Sequence, residues 1–299
     1  MQPDLFFSIV IPTYNRAHLI EKTIHTVLEQ SYNNFELLII DDGSTDNTKE
    51  IVTTIIEKNP QQKINYYYKQ NAERGAARNY GTRLCKGQYI TFLDSDDLFY
   101  KDHLENAAKT LFNFNLPELL HIRFEFKNLD GTGIQHIPVI KSSINKIIIS
   151  GNFMGCHSVF LKESVAKNNL FVEDRTLAGF EDWELWLRLA AAYEFHYSNT
   201  VSSCLVNHDN RSVLITNKDL LIKRLNALLH YVLSNKSVTN YYRSDISKFK
   251  CSCYSYVSLH LALTKRYRGA TLKFLFKSLI TRPDFIFKKR FFAILKHLI

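Results

Sequence analysis

Phe35-Glu36-Leu37-Leu38-Ile39-Ile40-Asp41-Asp42-Gly43-Ser44-Thr45-Asp46 passes from a short, almost unbroken apolar run directly into acids, a glycine and hydroxyls. A run of that length and content suits a strand covered on both faces, and the residues from Asp41 onward suit a polar turn at its carboxyl end. Working outward, the same pattern recurs. Phe6-Phe7-Ser8-Ile9-Val10-Ile11 leads into Pro12-Thr13-Tyr14-Asn15, and Gln88-Tyr89-Ile90-Thr91-Phe92-Leu93 leads into Asp94-Ser95-Asp96-Asp97, with the shorter Ile64-Asn65-Tyr66-Tyr67-Tyr68 lying between. Helical spacing separates these runs: Ile20, Ile24, Val27 and Leu28 share one face, and residues 46–58 and 73–85 read as two further helices. Strand and helix in alternation predict an α/β fold whose mostly parallel sheet has helices on both faces. Its ligand crevice then lies beyond the carboxyl ends of the strands, where the three polar turns converge.

Past Phe126 the regularity fades through Gly131, Gly133 and Pro138, and Ile147-Ile148-Ile149 reads as a possible strand. A helix beginning near Asp182 buries Trp183, Trp186, Leu187 and Ala190, and from Thr216 onward the chain reads as helical. The 299 residues are 45% hydrophobic and 22% charged, a balance that excludes a disordered or collagenous chain. No apolar run reaches the eighteen or so residues that a membrane span needs, and no basic stretch precedes a leader-like segment. Five cysteines without a CxxC pair argue against a disulfide framework or a zinc finger and fit a reducing cytoplasm. The net charge of +9 sits in the tail: residues 264–299 hold ten Lys or Arg and one acid, which leaves the remainder neutral and gives nucleic acid no basic groove.

Each polar cluster has a plain reading and a chemical one. Asp94-Ser95-Asp96-Asp97 could cap a helix, yet a DxD after a buried strand also supplies the hard oxygens that Mg²⁺ or Mn²⁺ prefers. In the second turn Asp46 or Thr45 suits a helix cap. Capping does not explain Asp41 beside Asp42, whose repulsion must be offset by donors or by a ligand such as a base N–H. Arg74 and Arg78 are one helical turn apart, within reach of a diphosphate or out on a solvated face, and the small residues between them allow close approach to the sheet. Glu181 and Asp182 either answer a helix dipole or give Asp182 the role of general base among aromatics.

Five ordered segments, SIVIPTYNRAHLIEKTIHTVLEQSY (8–32), FELLIIDDGSTDNT (35–48), NAERGAARNYG (71–81), GQYITFLDSDD (87–97) and EDWELWLRL (181–189), together resemble the family 2 glycosyltransferases of the GT-A fold. The resemblance spans roughly residues 6–212. It implies an enzyme that moves a sugar from a nucleoside diphosphate donor, most often a UDP-sugar, to an acceptor hydroxyl with inversion and with Mg²⁺ or Mn²⁺. It puts Pro12 and Tyr14 around the base, Asp42 on the base N–H, Arg78, Asp94 and Ser95 toward the donor, Asp96 and His208 on the metal, and Asp182 as catalytic base. Members often carry a Tyr-Arg pair before that His, whereas Val206-Asn207 precede His208 here. The acceptor it implies is a lipid-linked precursor of a bacterial surface glycan. A nucleotidyltransferase acting on a sugar phosphate, or an inactive membrane adaptor of the same fold, are the alternatives; a nicotinamide enzyme is disfavoured because no G-x-G-x-x-G follows the first strand. The expected domains are 1–215, catalytic, with a nucleotide-sugar half (1–125) and an acceptor half (126–215), and 216–299, a helical extension. Its basic tail is expected to hold the protein on an anionic membrane surface at the cytoplasmic face, through Phe287, Phe291, Ile294, Leu295 and Leu298 and through Leu272, Leu275, Phe276 and Leu279. Packing on the catalytic domain or a dimer contact is the other use of those faces.

Overall fold

A computed structural model describes residues 4–133, 135–207 and 217–298. In chain order its elements begin β1 (Phe7–Thr13), α1 (Ala17–Leu28), β2 (Phe35–Asp41), α2 (Thr48–Lys58), β3 (Ile64–Tyr68), α3 (Glu73–Leu84) and β4 (Tyr89–Phe92). There follow β5 (Leu98–Phe99), α4 (His103–Asn113), β6 (Leu119–Ile122), β7 (Glu125–Asn128), β8 (Gln135–His136) and α5 (Ile144–Ile147). Then come β9 (Val159–Lys162), α6 (Glu163–Asn168), α7 (Glu181–Ala192), β10 (Phe195–Ser198) and β11 (Ser203–Asn207). Five helices complete the chain: α8 (Lys218–Ser234), α9 (Lys236–Tyr241), α10 (Ile246–Leu263), α11 (Arg268–Thr281) and α12 (Lys289–Leu298). The expected strand–helix alternation of the first hundred residues is present, and the C-terminal part is helical.

The chain divides into two compact units. The first takes the described residues of 1–144, 154–175 and 193–208. Its seven-stranded sheet has the order β10-β6-β9-β4-β1-β2-β3, parallel except for β9, which runs antiparallel to both β4 and β6. A smaller sheet, β5-β11-β7-β8, accompanies it. Strand alternation assigns the two faces of β1: Phe7, Ile9 and Ile11 join a fully buried cluster with Ile20, Ile24 and Val27 of α1 and Val52 of α2. Val10 points the other way, where α3 closes so tightly that a Cβ on Gly81 would lie 2.5 Å from a Val10 methyl. The small residues Gly75, Ala76, Ala77 and Gly81 are what permit that approach.

The second unit takes the described residues of 145–153, 176–192 and 209–299. Trp183 and Trp186 of α7 are buried; the Trp183 indole donates to the Ile148 carbonyl at 2.8 Å and packs edge-on against Phe249. Asn145 donates to the Ala190 carbonyl at 2.7 Å and accepts from the Tyr242 hydroxyl at 2.7 Å through its own carbonyl. These bonds correct the expected strand at 147–149. The segment ends α5 at Ile147 and continues as a 3-10 turn over Ile148–Ser150, its isoleucines serving a helical core instead of a sheet.

The tail expectation is also revised in its details. Leu275, Phe285 and Ile294 are buried with Cys251 and Ala262 of α10, and Leu279, Phe291 and Leu295 pack on that cluster. Half of the face assigned to a membrane is therefore interior to this unit, because α11 and α12 need an apolar partner of their own. All five cysteines (Cys85, Cys156, Cys204, Cys251 and Cys253) are buried and none is in a disulfide. No described helix is long and apolar enough to cross a membrane.

Candidate active site

The turns after β1, β2 and β4 meet in the first unit, as the sequence implies. Asp42 N–H donates to the Thr13 carbonyl at 2.8 Å and Leu93 N–H to the Val10 carbonyl at 2.9 Å, so the three strand ends remain in register. Asn15, held at φ 50°, donates through its N–H to the Ser44 hydroxyl and accepts the Thr45 N–H on its side-chain oxygen at 2.8 Å. Arg16 reaches from the first turn to Asp96 in the third at 3.9 Å. Tyr14 is 48% exposed beside this crossing, whereas Pro12 is buried within β1.

Protein donors offset the repulsion between Asp41 and Asp42. Asp41 is fully buried and accepts from Ser44 N–H at 2.7 Å and from the Tyr66 hydroxyl at 2.6 Å; burial, reinforced by this carboxylate, raises the Tyr66 phenol. Asp42 Oδ1 accepts from Lys69 Nζ at 2.5 Å and from Ala72 N–H, at the mouth of α3, at 2.9 Å. Gly43, at φ 88°, takes the turn after them, where a Cβ would lie 3.0 Å from the Asn71 backbone nitrogen and the conformation would strain any side chain. Oδ2 of Asp42 has no hydrogen bond among the described residues and is the oxygen suited to a base N–H.

Asp94, Asp96 and Asp97 each offer an oxygen within 4.8 Å of the others. Their environments differ. Arg78 is buried on α3 beneath the Phe171 ring and donates to Asp94 Oδ1 at 2.7 Å. Burial alone would raise the Asp94 carboxyl, but Arg78 and then Arg74 outweigh it and hold it down at about 2. Asp97 is nearly inaccessible: Oδ1 accepts from Val206 N–H at 3.0 Å, Oδ2 lies 3.2 Å from His157 Nδ1, and its carbonyl accepts from the Thr23 hydroxyl. Burial raises its carboxyl against the pull of His157. With both oxygens engaged, Asp97 fastens the acidic turn to β11 and to the segment before β9. Asp96, 17% exposed, and Asp94, 32% exposed, are the carboxylates turned to solvent, while Ser95 between them is buried. An all-oxygen set of this kind fits a hard divalent cation.

The sequence leaves Arg78 between a diphosphate ligand and a solvated charge; the structure rules out the solvated face, since Arg78 is buried and paired with Asp94. Sequence reasoning misses His157, Arg16 and Lys69, and it treats Asp97 only as part of its motif. The one available hint is a third acid in the DSDD turn, more than a metal needs. Two further buried histidines stand nearby: His103, whose Nδ1 is 2.8 Å from the Ser202 hydroxyl, and His121, 3.1 Å from the Ser158 hydroxyl. Burial lowers both to about 3, so they are neutral fillers of the core. Asp182 belongs to the second unit, in the first turn of α7, where Oδ2 accepts from Asn152 Nδ2 at 2.9 Å and Oδ1 from Trp183 N–H at 2.7 Å. The neighbouring Glu181 is buried and accepts the Gly179 N–H. His208 lies outside the described residues.

The acidic cluster, the three joined turns and the sheet order fall within or beside a stretch that matches a known family. Residues 8–131 match the model of glycosyl transferase family 2. The chain carries a family 2 glycosyltransferase domain. Among curated relatives, an uncharacterized glycosyltransferase of Rickettsia felis is 37% identical over 190 residues, 63% of this chain, and the chain spans about a third (31%) of that relative's length. The Escherichia coli enzyme WfgD, named a UDP-Glc:alpha-D-GlcNAc-diphosphoundecaprenol beta-1,3-glucosyltransferase, is 28% identical over 80% of this chain and 91% of its own. Among solved structures, TarS of S. aureus with UDP-GlcNAc superposes with a TM-score of 0.68 at 18% identity, covering 98% of this chain and 88% of that one. The mannosyltransferase PcManGT of Pyrobaculum calidifontis, with GDP-Man and Mn²⁺, gives 0.65 at 16% identity, covering 99% and 86%. The family 2 domain thus sits in a fold of the GT-A glycosyltransferase kind, with its DSDD turn at the carboxyl end of β4.

Proposed function

We propose that the chain is an inverting glycosyltransferase that moves a sugar from a nucleoside diphosphate donor to an acceptor hydroxyl. The observation that carries this reading is the turn after β4, where Asp94 and Asp96 face solvent while Arg78 and Asp97 hold the turn from beneath. In it, Asp42 Oδ2 accepts the base N–H, with Pro12 and Tyr14 beside the base, and Asp94 and Ser95 approach the ribose and diphosphate. Asp96 would hold the divalent cation, with His208 as a second ligand by resemblance. Bound there, Mg²⁺ or Mn²⁺ neutralises charge on the leaving diphosphate.

Asp182 is the base of this scheme. The acceptor oxygen bonds to the anomeric carbon while the bond from that carbon to the phosphate oxygen breaks; the hydroxyl proton passes to the Asp182 carboxylate and the nucleoside diphosphate leaves. One displacement inverts the centre. Proton removal of this kind contributes about 10²- to 10⁴-fold to the rate. The name of WfgD favours a UDP-sugar donor and an acceptor carried on a diphosphate lipid. Such an acceptor would put the work at the inner face of the cytoplasmic membrane, with residues 1–215 as the catalytic part and the helices beyond as its extension.

The test is a thermal-shift panel of UDP, GDP and dTDP with and without Mn²⁺, followed by assay of nucleoside diphosphate release on the sugar donor of the best base. Asp96→Ala is expected to remove the Mn²⁺-dependent part of the shift and to abolish release while the far-ultraviolet spectrum stays unchanged. Release of pyrophosphate from a nucleoside triphosphate would favour the nucleotidyltransferase. Normal turnover of the wild type in chelator would remove the metal from the scheme.

A further inference from the structure

The tail helices bury one apolar face and leave a second uncovered. On α11, Thr271, Phe274, Leu275 and Ser278 turn inward, and the Ser258 hydroxyl of α10 donates to the Thr271 carbonyl at 2.9 Å. Leu272, Phe276 and Ile280, spaced four residues apart, form an outward stripe that is 50%, 65% and 67% exposed. The chain past α11 adds Phe287, 78% exposed, and Phe292, 59% exposed. A water-soluble surface seldom strings out large apolar side chains in this way without a partner.

Charge names the partner. Residues 264–299 hold ten Lys or Arg against a single acid, Asp284, and that acid is paired with Arg282 at 2.8 Å. Arg290 turns inward toward Ser252 and Ser255. The remaining eight cations, Lys265, Arg266, Arg268, Lys273, Lys277, Lys288, Lys289 and Lys296, are exposed or half-buried. Lys273 and Lys277 follow Leu272 and Phe276 directly, so cation and apolar group alternate along one helix. That pattern suits a bilayer with anionic headgroups, which takes phenyl and aliphatic groups to a shallow depth and ammonium groups at its surface.

We infer that α11 and the segment running into α12 dock on an anionic lipid surface through Leu272, Phe276, Ile280, Phe287 and Phe292 and the lysines among them. This deepens the reading of a lipid-borne acceptor by naming the surface on which the protein sits, and it is tested by binding alone, so its failure leaves sugar transfer standing. The full chain is floated with vesicles of phosphatidylcholine, with and without phosphatidylglycerol, at low and high salt. The wild type is expected to float with the anionic vesicles at low salt and far less with the neutral ones. Phe276→Glu with Ile280→Glu is expected to lose about tenfold or more in partitioning, and Lys273→Glu with Lys288→Glu and Lys289→Glu a comparable amount at low salt only. Both changes lie on exposed positions, and melting and nucleotide binding should match the wild type. Should one variant fail to fold, the other carries the test. Three results would overturn the inference: no flotation of the wild type, equal flotation with neutral vesicles, or a non-floating wild-type dimer that the Phe276 and Ile280 changes turn into a monomer.

Discussion

Asp182 and Asp97 show how differently two carboxylates in acidic motifs are used. Asp97 spends both oxygens on the fold, on Val206 N–H and His157, and a residue so committed is a strut for its neighbours. Asp182 also engages both oxygens, with Asn152 Nδ2 and Trp183 N–H, but it is only partly buried, and an Asn in its place keeps one of the two accepting oxygens. Asp182→Asn therefore separates two roles. If the carboxylate takes the acceptor proton, kcat falls by about 10²-fold or more with the donor KM little changed. If it serves only the start of α7, turnover is nearly unaffected and the loss appears in melting, because Asn gives up the negative charge that the first turn favours. Steady-state kinetics with melting as a control decides between them. Neither His157 nor the buried role of Arg78 is legible in the sequence. A lone His and an Arg one turn from another acquire meaning only from partners far away in sequence, here Asp97 and Asp94.

At the scale of elements the sequence is most legible where periodicity and burial agree. β1, β2 and β4 are short apolar runs because their faces are covered, whereas β3 at the sheet edge buries only Ile64 fully, and α1 and α3 fall where spacing puts them. Ile147-Ile148-Ile149 departs from the expected strand because three β-branched residues suit a buried helical turn as well, and only the Trp183 indole bond decides which. The reversed β9, inserted between β4 and β6, is set by long-range pairing that leaves no local mark. The fit of α3 on the sheet is anticipated by its small residues and can be tested through them. Gly81→Val would push a Cβ into Val10 at 2.5 Å and into Ile40 at 3.1 Å. Overpacking of this kind typically costs about 1–3 kcal/mol. Urea titration is expected to show a loss of stability of about that size with Arg78 still paired to Asp94, and an unchanged midpoint would mean that α3 is free to lift.

Over the whole molecule, the three acidic or polar strand ends are visible as a candidate site because buried strands must stop before polar groups can reach solvent. The second unit is less legible, since an amphipathic helix looks the same whether its apolar side meets another helix or something outside the chain. The burial of all five cysteines gives a way to watch both units without adding a label. Cys85, Cys156 and Cys204 lie in the first and Cys251 and Cys253 in the second. Burial pushes Cys85 up to about 12 and raises Cys204, Cys251 and Cys253, so an alkylating reagent at neutral pH meets almost no accessible thiolate in the native protein. Pulsed alkylation read by peptide mass should leave native protein unmodified and, as denaturant rises, mark each unit at the concentration where it opens. Rapid modification in native buffer would contradict the burial. Otherwise the chain keeps its own unfolding record, one set of sulfur atoms for each unit.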